Sequence, residues 1–440
     1  NLIKKLISND KPDLIIFLDC GSSSYDVTKY IKSLKIHSLI IDHHNTQKPY
    51  PLSEAFINPK KNSNYKNYDY LCTAFLTYLF LDLYIKLNHI KISIKEHQIY
   101  VLLATVADVM PIRNINRILA INVLKNFNLN NNFVLSNLFK ILKIKKKIEL
   151  DDLGFIIAPI LNSAGRLDNA NQIVELLVTS SKHRIVKILE KIFHLNSKRK
   201  IIEKKCLDNL NFNNISKQEG VIFIYEPNIS EGIIGIIAAK IKEYFNKPCI
   251  IFTNSGKIIK GSARSTSKFN IGEYINKALD MNILLSGGGH NLAAGVSLLK
   301  KDLEIFKDYI DKSYKKKNFN SVNNFVSKIS LSSINKNFLN NINYLGPFGN
   351  KNANPVFLIQ NVKIIKPNLL KNRFFSCFVK SSNKLIRAIS FSHINTKVSY
   401  EILNSKNDVD LLVKIKENKW NNKSTIELEI VDIIKPANNT

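Results

Sequence analysis

Two apolar runs near the start of the chain constrain its fold more than any other feature. DLIIFLDC, residues 13–20, is a continuous hydrophobic stretch closed by Asp19 and followed by Gly21, and HSLIID, residues 37–42, repeats the pattern and closes on Asp42. A run without polar alternation, bounded by a glycine, suits a strand buried on both faces of a parallel sheet. Ser22, Ser23 and Ser24 stand where they can cap a helix running to about Leu34, so the two runs form a βαβ unit. Both strands then end in carboxylates at the sheet edge where parallel sheets bind ligands.

Helical spacing dominates from Tyr70 to Asn88, from Ile94 to Val109 and over 117–143, and the charged, breaker-poor stretch between 170 and 210 reads as a long connecting helix. The longest apolar stretch, Leu71 to Leu87, carries Asp82 and Lys86 and reads as a buried helix rather than a membrane span. After Gly220 the pattern restarts, with VIFIY at 221–225 as strand, 232–245 as helix, and PCIIFT and KIIKGSAR as strands, a second α/β domain ending near Lys317. Residues 318–343, rich in Ser and Asn, read as a linker with one short helix. From Gly346 on, five short strands (VFLIQNVKII, FFSCFV, LIRAISF, DLLVKIKE and STIELEIVDII) imply a small barrel or sandwich, and a barrel of OB type would bind single strands.

With 440 residues the chain exceeds one ordinary core, and 45% hydrophobic with 22% charged residues describes a folded, soluble protein rather than a disordered one. The net charge of +29 fits a polyanionic partner that repays lysines by releasing counterions. It fits equally well an AT-rich genome, since only eight of the 64 basic residues are arginine and Asn and Ile abound. Cysteines 20, 72, 206, 249 and 377 never stand in CxxC spacing, which argues against a disulfide framework or structural zinc and fits a reducing cytoplasm. No signal peptide is visible at the start, and a first residue Asn1 in place of Met points to an incomplete beginning.

The strongest local signal is Asp42-His43-His44, just past a buried strand. An isolated histidine is usually a satisfied core residue, but here Asp19 ends the neighbouring strand and would converge on the same edge. Asp108, embedded in VLLATVADVMPI, is costly to bury unless it is paired or metal-bound; otherwise it is a helix-end cap near Pro111. Carboxylates mixed with imidazoles suit Mn²⁺ or Mg²⁺, and a pair of such ions clamps the oxygens of an in-line phosphoryl displacement. In the second domain GSARS offers Ser262, Arg264 and Ser265 after a strand, a set of hydroxyls and a forked cation for phosphate. SGGGHNLAAG presents His290 behind Gly287, Gly288 and Gly289, either a backbone that approaches a ligand closely or a simple tight turn. Arg166, in PILNSAGRLDNA, is a further candidate, with a surface ion pair as its ordinary reading.

The order of these motifs resembles the RecJ family of single-strand-specific DNA exonucleases within the DHH phosphoesterase superfamily. The resemblance rests on PDLIIFLDCGSS, LIIDHH, ATVADVMPI, LNSAGRLDNA, EGIIGIIAAKI, GSARS, SGGGHNLAAGVSL, LGPFGNKNANPVF and DLLVKIKENKWNNKSTIELEIVDI, and covers essentially the whole chain. It implies an α/β fold: a parallel-sheet DHH domain at 1–178, a connecting helix at 179–212, a smaller DHHA1 domain at 213–317, a linker at 318–343 and an OB-fold barrel at 344–440. It also implies processive 5′→3′ hydrolysis of single-stranded DNA to mononucleotides, in recombination and repair, by a cytoplasmic monomer. A single-strand-binding protein and a helicase are the implied protein partners, and no membrane is involved. By motif, Asp19 would bridge two metal ions, Mn²⁺ or Mg²⁺, while His43 and Asp108 complete one of them. Asp42 and His44 would orient ligands or touch the scissile phosphate, and His290 matches the glycine-rich active-site histidine. Arg166, Ser262, Arg264 and Ser265, with Gly288 and Gly289, would hold DNA phosphate.

The chain departs from the family pattern in three places. The acidic Asp-x-Asp-x-Asp-Gly cluster expected upstream of Asp19 has no counterpart, which removes most ligands of one metal. Ile229-Ser230-Glu231-Gly232 stands where Trp-His precedes the glycine, and Lys351 and Ala353 replace Gly and Pro after Pro347-Phe348-Gly349. Two rival functions follow: a small-substrate DHH phosphodiesterase, against which the terminal barrel argues, and a non-catalytic single-strand-binding subunit, which the missing acidic cluster favours and the retained Asp19, His43, His44, Asp108 and His290 oppose.

Overall fold

The computed structural model describes residues 3, 5, 7, 10–46, 48–144, 146–316, 325–370, 374–382, 384–391, 397–404, 407–420 and 423–434. The chain divides into two compact units, one made of Asn1–Asn132, Lys143–Ala158 and Phe325–Thr440, the other of Phe133–Leu142 and Pro159–Asn324.

The first unit begins with the expected βαβ unit: β1 (Leu14–Leu18), α1 (Tyr25–Ser33) and β2 (His37–Ile41). A third strand that the sequence pattern did not reveal, β3 (Ala55–Ile57), follows, and all three run parallel in the order β1-β2-β3. Phe17 pairs with Ile40 and Ile40 with Phe56, so the strands end level and present Asp19, Asp42 and Asn58 along one edge. Phe17, Ile31, Ile36 and Ile40 form the core beneath α1. Burial on both faces does not hold for β1: Leu14, Ile16 and Leu18 are 49%, 52% and 49% exposed, because among the described residues nothing covers that side of an edge strand. Ser24 takes the N-cap position of α1 without a side-chain cap bond, while Ser22 turns inward.

Helices α2 (Thr73–Leu87), α3 (Gln98–Ala107) and α4 (Asn114–Asn126) complete this part. The reading of 71–87 as a buried helix is half right: Thr73, Phe75 and Leu76 are buried, but Leu79, Leu81, Leu83 and Leu87 are exposed. Among the described residues, the fully buried positions of α2 lie in its first turns. No helix among the described residues is long and apolar enough to cross a membrane. The helix expected over 117–143 is broken by a 3-10 turn at Leu129–Asn131, where the Asn128 side chain accepts a bond from the Asn130 amide. Asparagine competes for backbone donors in this way and favours turns over helix interiors.

The second unit opens with α5 (Phe133–Ile141), α6 (Ala158–Leu167, its first residue belonging to the first unit) and α7 (Asn171–Val178). The expected long helix is α8 (Lys182–Asn209), capped by the Ser181 hydroxyl, with Ile185, Ile188, Leu189, Ile192 and Leu195 buried along one stripe. After α9 (Phe212–Ser216) come β4 (Ile222–Tyr225), α10 (Glu231–Phe245), β5 (Cys249–Ser255), β6 (Ile258–Arg264), α11 (Ile271–Asp280), β7 (Ser286–His290), β8 (Ala293–Leu298) and α12 (Leu303–Lys315). The five-stranded sheet runs β4-β5-β6-β8-β7. Strand β5, beside the edge strand β4, alternates between two cores: Ile250 and Phe252 face α11 and α12, while Cys249 and Ile251 face α10. SGGGH, expected as a glycine-rich turn, is the strand β7, while GSAR closes β6, the strand read from KIIKGSAR.

The remaining elements return to the first unit: β9 (Ser327–Lys328), α13 (Lys336–Tyr344), β10 (Phe357–Leu370), β11 (Phe374–Ser381), β12 (Lys384–Ser390), α14 (Lys397–Asn404), β13 (Val409–Trp420) and β14 (Lys423–Ile434). Strands β10 to β14 pair as β11-β12-β14-β13-β10, and β10 also pairs with β11, which closes a five-stranded barrel without a free edge. Leu331, Ile334, Leu339 and Ile342 are buried in the barrel's own core, so this part of the segment read as a linker belongs to the barrel. The start of that segment lies outside the described residues.

Candidate active site

The parallel sheet delivers the first group of side chains. Asp19 follows β1 in a left-handed conformation (φ 61°), its amide bonded to the Ile41 carbonyl, which turns an exposed carboxylate over the strand end. His43 is buried, and its Nε2 lies 3.2 Å from Asp108 Oδ2 and 3.5 Å from Asp19 Oδ1. Its Nδ1 has no hydrogen-bond partner among the described residues, so Nε2 makes the interactions of this ring. The Asp19 and His43 ligand atoms and one of His44 lie within 4.8 Å of one another, which adds His44 to the donor set read from the sequence.

Asp42 plays a different part from its neighbours. It is 1% exposed, and its carboxylate accepts from the amides of Ser22 (3.1 Å), His43 (2.7 Å) and His44 (3.2 Å) and lies 2.7 Å from His44 Nδ1. Burial alone would raise its pKa, but the bonds from His44 and Ser22 outweigh this and hold it well below the usual carboxylate range. Asp42 is thus a fixed anion that shapes the loop bearing both histidines. Asn58, past β3, braces the loop by donating to Ser22 Oγ (2.7 Å) and to the His44 carbonyl (2.9 Å).

Asp108 occupies the C-cap of α3, and its carboxylate is also paired, Oδ2 lying 3.2 Å from His43 Nε2. The helix closes with the Val109 amide on Val106 O and the Met110 amide on Thr105 O, the Schellman arrangement, in which the residue after the cap is left-handed and commonly glycine. Here it is Val109, at φ 53°, a β-branched residue in a conformation that costs about 1–3 kcal/mol. Burial, and then the charge of Asp19, push the Asp108 pKa up to about 6. Burial, and then His44, lower that of His43 to about 4. Hydrogen bonding to Asp42 raises His44 against the effect of its own burial. Lys60, which sequence reasoning passed over, contributes a half-buried ammonium whose field acts on His43 and Asp108 and whose own pKa burial lowers.

This donor set fits a divalent cation. Two carboxylates and a neutral imidazole face one another, Asp108 is held close to protonation by burial and then by the charge of Asp19, and a hard cation would offset both.

The second unit holds the other group. Arg166 makes no ion pair among the described residues: its Nη1 donates to Gly232 O at 2.8 Å, and burial, then Arg199, lower its pKa. Arg264 donates to Ser262 Oγ (3.2 Å) and Ala263 O (2.8 Å), its pKa lowered by burial and then by Arg166. A buried guanidinium depressed by burial and then by a second guanidinium is a place suited to an anion. Their packing depends on two glycines of α10 whose role the sequence did not disclose. A Cβ on Gly232 would lie 2.4 Å from Arg166 O, and one on Gly235 would lie 2.9 Å from Ser262 Oγ and 3.0 Å from Arg264 Nη2. Ser262 and Gly288 line an open cavity of about 420 Å³, and a Cβ on Gly288 would meet nothing, which leaves room for a ligand.

Two of the residues expected at phosphate are engaged in packing within the protein. Ser265 is buried and its hydroxyl donates to Phe269 O at 2.6 Å, so it fixes its own loop. Gly289 is packed shut, since a Cβ there would lie 2.3 Å from Ala293 O. His290 ends β7 in this unit and is exposed. Ser230, where the family pattern has histidine, is the N-cap residue of α10.

Three family models match in chain order: the DHH family N-terminal domain over residues 1–106, the DHHA1 domain over 218–316 and the RecJ OB domain over 327–432. The chain belongs to the RecJ family. Relatives named single-stranded-DNA-specific exonuclease RecJ include that of Escherichia coli, 30% identical over 317 residues that cover 67% of this chain and 55% of the relative. That of Bacillus subtilis is 26% identical over 444 residues, 95% of this chain and 53% of the relative. This RecJ-family chain therefore spans about half the length of the curated relatives it matches. Its fold is that of RecJ from Thermus thermophilus crystallised with Mn²⁺, with a TM-score of 0.82 at 22% identity over 99% of this chain and 64% of that one.

Proposed function

We propose that this RecJ-family chain is the catalytic part of a divalent-metal-dependent nuclease that hydrolyses single-stranded DNA from its 5′ end, in recombination and repair. The observation that carries the reading is the convergence of Asp19 and Asp108 on His43 Nε2, at 3.5 and 3.2 Å, from three separate stretches of sequence. Asp19, His43 and Asp108, with His44 beside them, would hold Mn²⁺ or Mg²⁺. Such an ion, when bound, polarises the scissile phosphate and lowers the pKa of water.

The chain's own residues do the rest. Burial keeps His43 neutral at physiological pH, so its nitrogen offers a lone pair rather than a repelling charge. Asp42 holds the loop through four bonds and keeps His44 oriented. Arg264, Arg166 and Ser262 offer a preformed anion cradle for backbone phosphate, and the closed barrel supplies a surface that grips a strand without reading its sequence. A small-substrate phosphodiesterase would have no use for that barrel. An exonuclease confined to single strands needs duplexes opened for it, so a helicase and a single-strand-binding protein are the protein partners proposed.

In a cleavage assay with Mn²⁺ and 5′-phosphorylated single strands, the protein should shorten the strand from the 5′ end. Asp108→Ala should abolish this while leaving DNA affinity within about twofold. Cleavage that survives Asp108→Ala removes the assignment.

A further inference from the structure

The segment that carries Asp108 is gripped by a turn far along the chain. Asn350 Nδ2 donates to Val109 O at 2.5 Å, and Asn350 O accepts from the Ile112 amide at 2.7 Å, so one residue brackets the chain on both sides of Met110 and Pro111. Arg117 Nη2 donates to Tyr344 O (3.0 Å) and Gly346 O (2.8 Å), the start of the same turn. Gly349 lets the two segments approach: a Cβ there would lie 2.7 Å from Ile112 Cγ1. The turn closes on itself through the Gly349 and Asn352 amides, each bonded to the other residue's carbonyl. Its position next to the barrel follows from α13 and β10 on either side.

Val109 is the residue that makes this grip matter. It stands directly after Asp108 in a left-handed conformation that a valine leaves readily, and relaxation to an extended one would swing the Asp108 carboxylate away from His43. The Schellman bonds of α3 hold the amide side of Val109, and Asn350 holds its carbonyl. We infer that Asn350 is a positioning residue for Asp108, locking Val109 in its strained conformation so that the barrel's lead-in turn sets the geometry of the metal site. The inference rests on the reading of Asp108 as a metal ligand.

The test is Mn²⁺ binding, read by electron paramagnetic resonance of the free ion, with single-strand affinity and thermal melting measured alongside. Asn350→Ala removes one hydrogen bond and should weaken Mn²⁺ binding by about tenfold with DNA affinity unchanged. The decisive variant is the double substitution Val109→Gly with Asn350→Ala. Glycine adopts the left-handed conformation without strain, so the lock becomes unnecessary and Mn²⁺ affinity should return to within about threefold of the unsubstituted protein. If Asn350→Ala does not fold, Asn350→Leu, of similar size but lacking the donor, takes its place under the same expectations. Undiminished Mn²⁺ binding by Asn350→Ala overturns the inference, as does a loss that Val109→Gly leaves unrepaired. Absence of Mn²⁺ binding by the unsubstituted protein overturns the metal-site reading itself, and this inference with it.

Discussion

His44 Nδ1 lies 2.7 Å from Asp42 Oδ1, an oxygen that also accepts from the amide of His43 at 2.7 Å. One buried carboxylate therefore fixes both the ring of the second histidine and the backbone of the first. The nearest pair of residues in the motif is a support and its load rather than two equivalent ligands.

Asp42→Asn keeps the shape of this support but loses the charge, and charge-assisted bonds are the stronger ones. We expect a loss of roughly 2–3 kcal/mol in unfolding free energy near neutral pH, measured by urea titration. Because the folded-state pKa of Asp42 is depressed, its stabilisation is complete above the ordinary carboxylate value of about 4 and fades as the pH falls. The gap between Asp42→Asn and the unsubstituted protein should narrow below about pH 4. A gap independent of pH would show that the charge contributes nothing.

The Asp108 pKa of about 6 makes metal binding pH-dependent within the working range. Below pH 6 a proton competes for the carboxylate, so Mn²⁺ affinity should fall by up to about tenfold per unit and level off above about pH 7. Stability alone reports this poorly. A raised Asp108 loses stability as pH climbs from about 4 to 6, while His43, lowered to about 4, gains it over the same interval. Asp108→Asn should flatten the affinity profile between pH 5 and 7. A slope that persists in Asp108→Asn would place the titrating group elsewhere.

Gly235→Ala would ordinarily strengthen a helix by up to about 1 kcal/mol. Here the added methyl meets Ser262 Oγ at 2.9 Å and Arg264 Nη2 at 3.0 Å, and it should displace the guanidinium. We expect about a threefold to tenfold loss of affinity for 5′-phosphorylated strand ends in a filter-binding assay, shared by Arg264→Ala, with a smaller loss on strands lacking an accessible end. Equal losses on both substrates would assign Arg264 to general backbone contact.

Lys351 stands at φ 59°, where the family pattern has glycine, so the departure noted in the sequence carries a conformational cost. Lys351→Gly should raise stability by about 0.5–1 kcal/mol, seen as a melting temperature a few degrees higher. A lower melting temperature would mean that the lysine side chain or a stiffer unfolded chain outweighs the relief of strain.

Features with a local period or a local stop were legible in the order of residues. Continuous apolar runs ending at Asp19 and Asp42 specify parallel strands, the stripe from Ile185 to Leu195 specifies α8, and short apolar runs between polar turns specify the barrel strands, because each needs only residues a few positions apart to agree. The convergence of Asp19, Asp42 and His43 was legible for the same reason, since level strand ends follow from the pairing of neighbouring strands. Other features arise only when distant elements pack. The three-residue β3 has too short a pattern to read, and Asn58 finds Ser22 and His44 across the fold. The hydroxyl of Ser265 turns inward to Phe269, and the glycines of α10 make room for arginines brought in by other elements. Asn350 reaches Val109 across 241 positions of chain. Such contacts leave no local trace, because a hydrogen bond between distant residues is set by how packed elements meet and not by the period of either one.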